Sequence, residues 1–176
     1  LRVVRQAVGE VDSIVSALAD ADWKNVFDAQ RLGIGGMSMG GMVTLRRLCD
    51  PHPFRAAAVE GTTGSLTTLS TYKDRHGEEL LNAMDAIQHL GSWRPIPLLA
   101  LHSEKDAWVP VAGIREFTLQ LAERYRSQGA DPAWVTLKTW PETGAPQEHL
   151  GFGKVSNEAK NTQTSFFQEH LGAGQV

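Results

Sequence analysis

The chain has 176 residues, of which 41% are hydrophobic and 21% charged, with 17 basic against 20 acidic side chains and a formal net charge of −3. This length suits one domain with a sizeable core, and the near balance of charge argues against nucleic acid as the main partner. No apolar run approaches the roughly 20 residues of a membrane span, and the single cysteine, Cys49, cannot form an internal disulfide. We therefore expect a soluble, cytoplasmic protein that binds neither nucleic acid nor membranes.

The first half of the chain alternates between helical and strand patterns. Apolar residues recur every three or four positions between 3 and 18, which predicts a helix with one buried face. The run from Arg31 to Gly36 predicts a buried parallel strand, and residues 39–48 predict a helix that stops at Asp50-Pro51. A short strand over 54–59 and a polar loop over 61–71 follow.

The second half continues the alternation. Its patterns predict, in order, a helix at 77–90, a strand at 97–102, a helix at 113–126, a strand at 133–140 and a helix at 157–171. Strict alternation of this kind predicts an α/β fold with a parallel sheet and helices on both faces. We expect a single domain over 1–176 with a small insertion, forming a cap, at about 61–95.

A Gly-x-Ser-x-Gly sequence stands between the first predicted strand and its helix, as Gly36-Met37-Ser38-Met39-Gly40. In that context the motif predicts a strained turn that exposes a nucleophilic serine, with small neighbours two residues before and two after it. The start of the helix points unpaired backbone N–H groups towards Ser38, and the N–H of Met39 is the natural oxyanion donor. A plain glycine loop is the alternative interpretation.

A serine nucleophile needs a base, and the base needs an acid that orients it, in the chain order serine, acid, histidine. Asp106 follows the strand that ends at His102, where a carboxylate lies on the ligand side of a parallel sheet. A turn or helix cap is the structural alternative for Asp106, and Glu104 is the rival acid.

His149 is the histidine whose position fits a base, because it lies in a Gly- and Pro-containing loop after the last predicted strand. The other histidines precede the acid, lie in a strand or lie in the terminal helix: His52, His76, His89, His102 and His170. Ser38, Asp106 and His149 are therefore the expected catalytic residues.

Three segments together resemble the α/β-hydrolase superfamily, in its dienelactone-hydrolase-like and prolyl-oligopeptidase-like esterase branch. They are Gly-Met-Ser-Met-Gly-Gly at 36–41, Leu-His-Ser-Glu-Lys-Asp-Ala-Trp-Val-Pro at 101–110, and the loop with His149. The resemblance implies a serine carboxylesterase that works through an acyl-enzyme on Ser38, with His149 as general base and then acid and with no cofactor. The side chains of the insertion at about 61–95 would suit small or medium acyl groups. Dienelactone hydrolases proper differ in using cysteine as the nucleophile.

The chain departs from this family upstream of Arg31, where a single helix replaces several strands and a His-Gly-type motif that supplies a second oxyanion donor. The chain therefore resembles the C-terminal part of an α/β-hydrolase fold that lacks the N-terminal strands. An exposed apolar edge strand would invite aggregation. We expect either an upstream segment or a homodimer to complete the sheet.

Two alternative functions remain open from the sequence. A peptidase or amidase uses the same chemistry on a harder substrate, and a non-catalytic relative of the hydrolases would only bind a ligand.

The insertion contains apolar and hydroxyl side chains that would either line the substrate site or, equally, pack between helices. They are Thr62, Thr63, Leu66, Leu69, Tyr72 and Met84. No His, Cys or carboxylate spacing suggests a metal.

Overall fold

The computed structural model describes residues 1–20 and 28–172. Within these ranges six α-helices and four strands follow one another, with short 3-10 helices between some of them. They are α1 (Arg2–Asp20), β1 (Gly33–Met37), α2 (Met39–Arg47), β2 (Ala56–Glu60), α3 (Ser70–Arg75), α4 (Glu78–Met84), β3 (Leu98–Ser103), α5 (Val111–Ser127), β4 (Val135–Trp140) and α6 (Ser156–Leu171). None of these helices is both long enough and apolar enough to cross a membrane.

The four strands form one parallel sheet in the order β1-β2-β3-β4. The two central strands are almost completely buried, which explains their continuous apolar sequences. The two outer strands are partly exposed and form the edges of the sheet as described. The predicted parallel α/β architecture is therefore confirmed, and the strand that precedes Ser38 lies at an edge.

Helices cover both faces of the sheet, as predicted. On one face α2, its C-cap Leu48 and α5 contribute Leu45, Leu48, Phe117 and Leu121 to a core with the inward side chains of β2 and β3. On the other face α6 packs near Ala58, Leu99 and Leu101, together with Trp140 and Phe152. The alternation of side chains along each strand thus feeds two separate cores.

The segment between β2 and β3 departs from the predicted loop and single helix. Residues 61–71 contain a short 3-10 helix, Leu66–Thr68, and the beginning of α3. The helix expected at 77–90 ends at Asp85, whose backbone is extended and whose Oδ1 accepts a hydrogen bond from the N–H of Leu66 at 2.8 Å. This tertiary hydrogen bond holds Asp85 in an extended conformation, and a 3-10 helix over Ala86–Ser92 follows.

The apolar side chains of this segment pack inward. Leu66, Leu69 and Met84 are buried with Val4 of α1 and Met42 of α2, and Tyr72 packs against the same cluster. The helix-packing alternative for these residues therefore describes them better than an open substrate wall. A cap over the serine stays a prediction.

Candidate active site

The carboxyl ends of three strands converge on one edge of the sheet. Ser38 directly follows β1, Asp106 lies three residues after β3, and His149 lies in the loop after β4. Parallel strands place such loops on the same side, where ligands bind in α/β folds. This common position brings together three residues that are separated by 68 and 43 positions in the chain.

The turn at Ser38 is strained, as the motif predicts. Ser38 has φ 53° and ψ −120°, a left-handed backbone that residues with a side chain rarely adopt. Its N–H donates to the carbonyl of Glu60 at 2.8 Å, and its carbonyl accepts from the Thr62 hydroxyl at 2.7 Å. The end of β2 therefore holds the nucleophile turn from both sides.

The glycines of the motif have different reasons to be small. A Cβ on Gly36 would collide with the backbone of Gly40, and one on Gly41 would lie 2.6 Å from the side chain of Thr62. A Cβ on Gly40 would meet open space. The expectation that both flanking glycines must be small is thus correct for Gly36, whereas the surroundings of Gly40 impose no such limit.

Ser38, His149 and Asp106 form one continuous hydrogen-bonded chain. The Ser38 Oγ lies 2.9 Å from Nε2 of His149, and Nδ1 of His149 lies 2.7 Å from Oδ2 of Asp106. Because the carboxylate accepts from Nδ1–H, Nε2 is left as the acceptor for the serine hydroxyl. His149 and Asp106 are both buried, at 3% and 7% exposure, so bulk water competes little for these bonds.

Asp106 is fixed by its own loop. Its Oδ1 accepts hydrogen bonds from the backbone N–H groups of Trp108 at 2.9 Å and Val109 at 2.7 Å. The rival acid Glu104 points to the surface instead, where both of its oxygens lie 2.8 Å from Arg115. One oxygen of Asp106 therefore caps the turn while the other faces His149. The turn cap predicted as an alternative role is thus compatible with a role in the triad.

Met39 is the first residue of α2, and the first N–H groups of a helix have no partner within it. The position of Met39 therefore fits the expected oxyanion donor. No cluster of three or more histidine, cysteine or carboxylate side chains able to hold a metal occurs within residues 1–20 and 28–172.

Two residues beside the triad, Gly61 and His102, are not indicated by the sequence, whose pattern only excludes His102 as the base. Gly61 follows β2 with φ 49°, and a Cβ on it would lie 3.6 Å from both the His149 ring and Oδ2 of Asp106. His102 is fully buried below the acid, where its Nε2–H donates to the carbonyl of Val109 at 2.8 Å and lies 3.5 Å from Asp106 Oδ2. Burial lowers the pKa of His102, which favours its neutral form.

Each triad residue has an exposed apolar residue next to it in the chain or two positions after it. Met39, Trp108 and Leu150 are 48%, 55% and 52% exposed, and the Trp108 ring lies 5.1 Å from that of His149. Large apolar side chains that stay exposed beside a reactive group are candidates to contact a ligand. We call these three residues the apolar rim.

The chain is similar to known proteins in sequence and in fold. Residues 5–174 match the model of the prolyl oligopeptidase family. The fold is similar to acylaminoacyl peptidase from Pyrococcus horikoshii, with a TM-score of 0.72 and 18% identity over 92% of this chain and 27% of that one. It is equally similar to a puromycin-hydrolyzing peptidase from Mycobacterium tuberculosis, with a TM-score of 0.72 and 21% identity over 94% of this chain and 25% of that one.

A third similar structure is a protein described as a dienelactone hydrolase from Klebsiella pneumoniae, with a TM-score of 0.64 and 18% identity over 94% of this chain and 62% of that one. At such identities the likeness establishes the α/β-hydrolase fold. The chain spans about a quarter of the length of the two peptidases. Since the family model covers nearly all of its residues, the chain belongs to the prolyl oligopeptidase family.

Proposed function

We propose that this chain carries the catalytic triad of a serine peptidase or amidase that works through an acyl-enzyme on Ser38. The observation that carries the proposal is the hydrogen-bonded chain from Asp106 through His149 to the Ser38 hydroxyl. A serine hydroxyl is a weak nucleophile, and an adjacent oriented imidazole is the standard way to activate it.

The geometry supports a definite division of roles. Nε2 of His149 takes the proton of Ser38 as Oγ attacks the substrate carbonyl, and the imidazolium then donates that proton to the leaving nitrogen. Asp106 keeps Nδ1–H oriented and stabilises the imidazolium without taking the proton. The backbone N–H of Met39 donates to the oxyanion. Water then attacks the acyl-enzyme with His149 again as the base.

Family membership favours amide over ester bonds. The carboxylesterase predicted from the sequence shares every step up to the leaving group, but the matching family is named for oligopeptide cleavage. Two of the similar structures are peptidases, one acting on acylaminoacyl substrates and one on puromycin. We therefore place peptide or amide bonds first and carboxylic esters second.

A matched pair of substrates tests the choice. The 4-nitroanilide and the 4-nitrophenyl ester of one N-acyl amino acid give the same acyl-enzyme, so they differ only in the acylation step. A peptidase or amidase releases nitroaniline and nitrophenol, and Ser38→Ala abolishes both. If the chain cleaves the ester but neither the anilide nor peptides, the peptidase proposal is contradicted and the carboxylesterase predicted from the sequence is favoured.

We also propose that a further polypeptide strand pairs with β1. This edge strand borders a groove of about 510 Å³ that is lined by residues 33–37, Glu60, Gln163, Phe167 and Leu171. Exposed strand edges in proteins are commonly covered or paired. Light scattering on the 176-residue chain tests whether a second copy supplies this strand: a dimer supports that source, and a monomer contradicts it.

A further inference from the structure

The loop that carries His149 has an unusual backbone just before the histidine. Gln147 and Glu148 both have φ 53°, in the left-handed region that favours glycine. Two consecutive residues with side chains in this region persist only where surrounding contacts hold them. The strained pair ends directly at the expected base, so whatever holds it also sets the position of the imidazole.

The Glu148 carboxylate provides that hold through four hydrogen bonds. Its Oε2 accepts from the Ser103 hydroxyl at 2.6 Å, from the Thr143 N–H at 2.7 Å and from the Thr143 hydroxyl at 2.8 Å. Its Oε1 accepts from the Gly144 N–H at 2.6 Å. The hydrogen bond from Ser103 and those from Thr143 and Gly144 lower the pKa of Glu148 to about 2.

These bonds connect the loop of the base to the strand of the acid. Ser103 is the last residue of β3 and lies three residues before Asp106. The same two loops meet again where the N–H of Ala107 donates to the carbonyl of Gln147 at 3.0 Å. Glu148 is therefore part of a bridge between the two loops that must bring His149 and Asp106 within 2.7 Å.

We propose that Glu148 is a positioning residue for the triad, which holds the His149 loop on the end of β3 so that the imidazole stays aligned between Asp106 and Ser38. The inference rests on the proposed function for its catalytic consequence. Glu148 acts through His149 and contacts none of the reacting atoms. The strained turn is thus retained because its own side chain anchors it.

Two substitutions separate the anchor from the strain. Glu148→Gln keeps the size, but its single oxygen cannot serve both oxygen positions, and its NH₂ then faces the N–H of Thr143 or of Gly144. Glu148→Gly removes the anchor and adopts a positive φ without strain. We expect both variants to lower kcat about 10- to 100-fold with KM nearly unchanged, because small misplacements of catalytic groups cost about that much.

Glu142→Gln is the matched control, since Glu142 begins the same loop but pairs on the surface with Lys105 at 2.7 Å and Lys154 at 3.5 Å. It should behave as the wild type. Ser103→Ala removes one of the four donors and should give a smaller loss of kcat than either Glu148 variant. It also decides the question if a Glu148 variant does not fold.

A readout that does not need turnover keeps this inference separable from the proposed function. Proton NMR follows the His149 Nδ1–H that is shared with Asp106. We expect a downfield resonance in the wild type and in Glu142→Gln, and its broadening or loss in folded Glu148→Gln and Glu148→Gly. A wild type without turnover would contradict the proposed function alone, because the resonance still tests Glu148. Wild-type kcat together with an unchanged resonance in Glu148→Gly would overturn the positioning role.

Discussion

Asp106 and His149 lie with Oδ2 of the carboxylate 2.7 Å from Nδ1 of the imidazole, and both side chains are buried. The other carboxylate oxygen is occupied by two backbone N–H groups of its own loop. Asp106 therefore cannot turn away from the histidine without losing those bonds. Asp106 is held by its own loop, and its carboxylate favours the tautomer of His149 that carries the proton on Nδ1.

Asp106→Asn should preserve the fold but impair catalysis strongly. If the amide oxygen keeps the two backbone N–H donors, the NH₂ faces Nδ1 and favours the tautomer that protonates Nε2, which cannot accept from Ser38. We expect kcat to fall on the order of 10⁴-fold, the size of effect that replacing the triad aspartate by asparagine has in a trypsin-like protease. Stopped or continuous assays on an activated ester measure it. A loss below tenfold in folded protein would contradict the role of Asp106.

Gly36→Ala should destabilise the chain, whereas Gly40→Ala should not. The new Cβ at 36 collides with the backbone at Gly40, and backbone yields less readily than a side chain. Overpacking of this kind costs about 1–3 kcal/mol. At Gly40 the Cβ meets open space on a helix, where alanine gains up to about 1 kcal/mol over glycine. Urea denaturation of both variants compares them, and equal free energies of unfolding would be inconsistent with the close approach.

Trp108→Ala should weaken the use of substrates with bulky apolar groups. The Trp108 ring lies beside His149 and is 55% exposed, so it offers apolar area to a bound substrate. We expect a rise in KM of about tenfold for a substrate with a large apolar side chain and little change for one with a small side chain, since one buried contact is worth about 1–3 kcal/mol.

Trp134→Ala is the matched control for the apolar rim. Trp134 is also exposed, at 43%, but it lies just before β4, at the opposite end of that strand from the His149 loop. Its removal should leave both KM values as in the wild type. Equal effects of the two substitutions would show that the apolar rim does not select the substrate.

Cys49 should resist thiol reagents in the folded chain. It is 1% exposed, and burial raises the pKa of its thiol to about 12. Since the reactive species is the thiolate, labelling by iodoacetamide at pH 8 should require unfolding. The raised pKa also means that this thiol supports folding below the unfolded pKa of about 8.5 and that the support is lost as pH rises towards 12. Rapid labelling without denaturant would contradict its buried position.

The sequence predicted the sheet because the strands carry patterns that local physics favours. β2 and β3 are short apolar runs bounded by turn residues, and the structure places them centrally. The glycine-flanked serine similarly predicts a strained turn, and in the structure Ser38 has a φ of 53°. Such features depend on neighbours in the chain, which a single sequence contains.

Other features depend on partners that are distant in the chain. The break of the predicted helix at Asp85 follows from a hydrogen bond to Leu66, 19 positions earlier, which no local pattern reveals. In the sequence Gly61 is an ordinary loop glycine, and only the structure shows that it lies next to Asp106 and His149. Glu148 likewise gives no signal by itself, because the partner that ties it to β3, Ser103, is 45 positions away. These features therefore depend on tertiary contacts, which the hydrophobic periodicity of the sequence does not indicate.

Fluorophosphonate labelling followed by peptide mass spectrometry shows whether Ser38 is a working nucleophile, because the reagent needs a serine that is already activated. We predict an adduct on Ser38 of the wild-type chain, none on Ser38→Ala, and a strongly reduced rate in His149→Ala. Absence of an adduct on folded wild-type protein, or equal labelling of Ser38 in His149→Ala, would contradict a working triad.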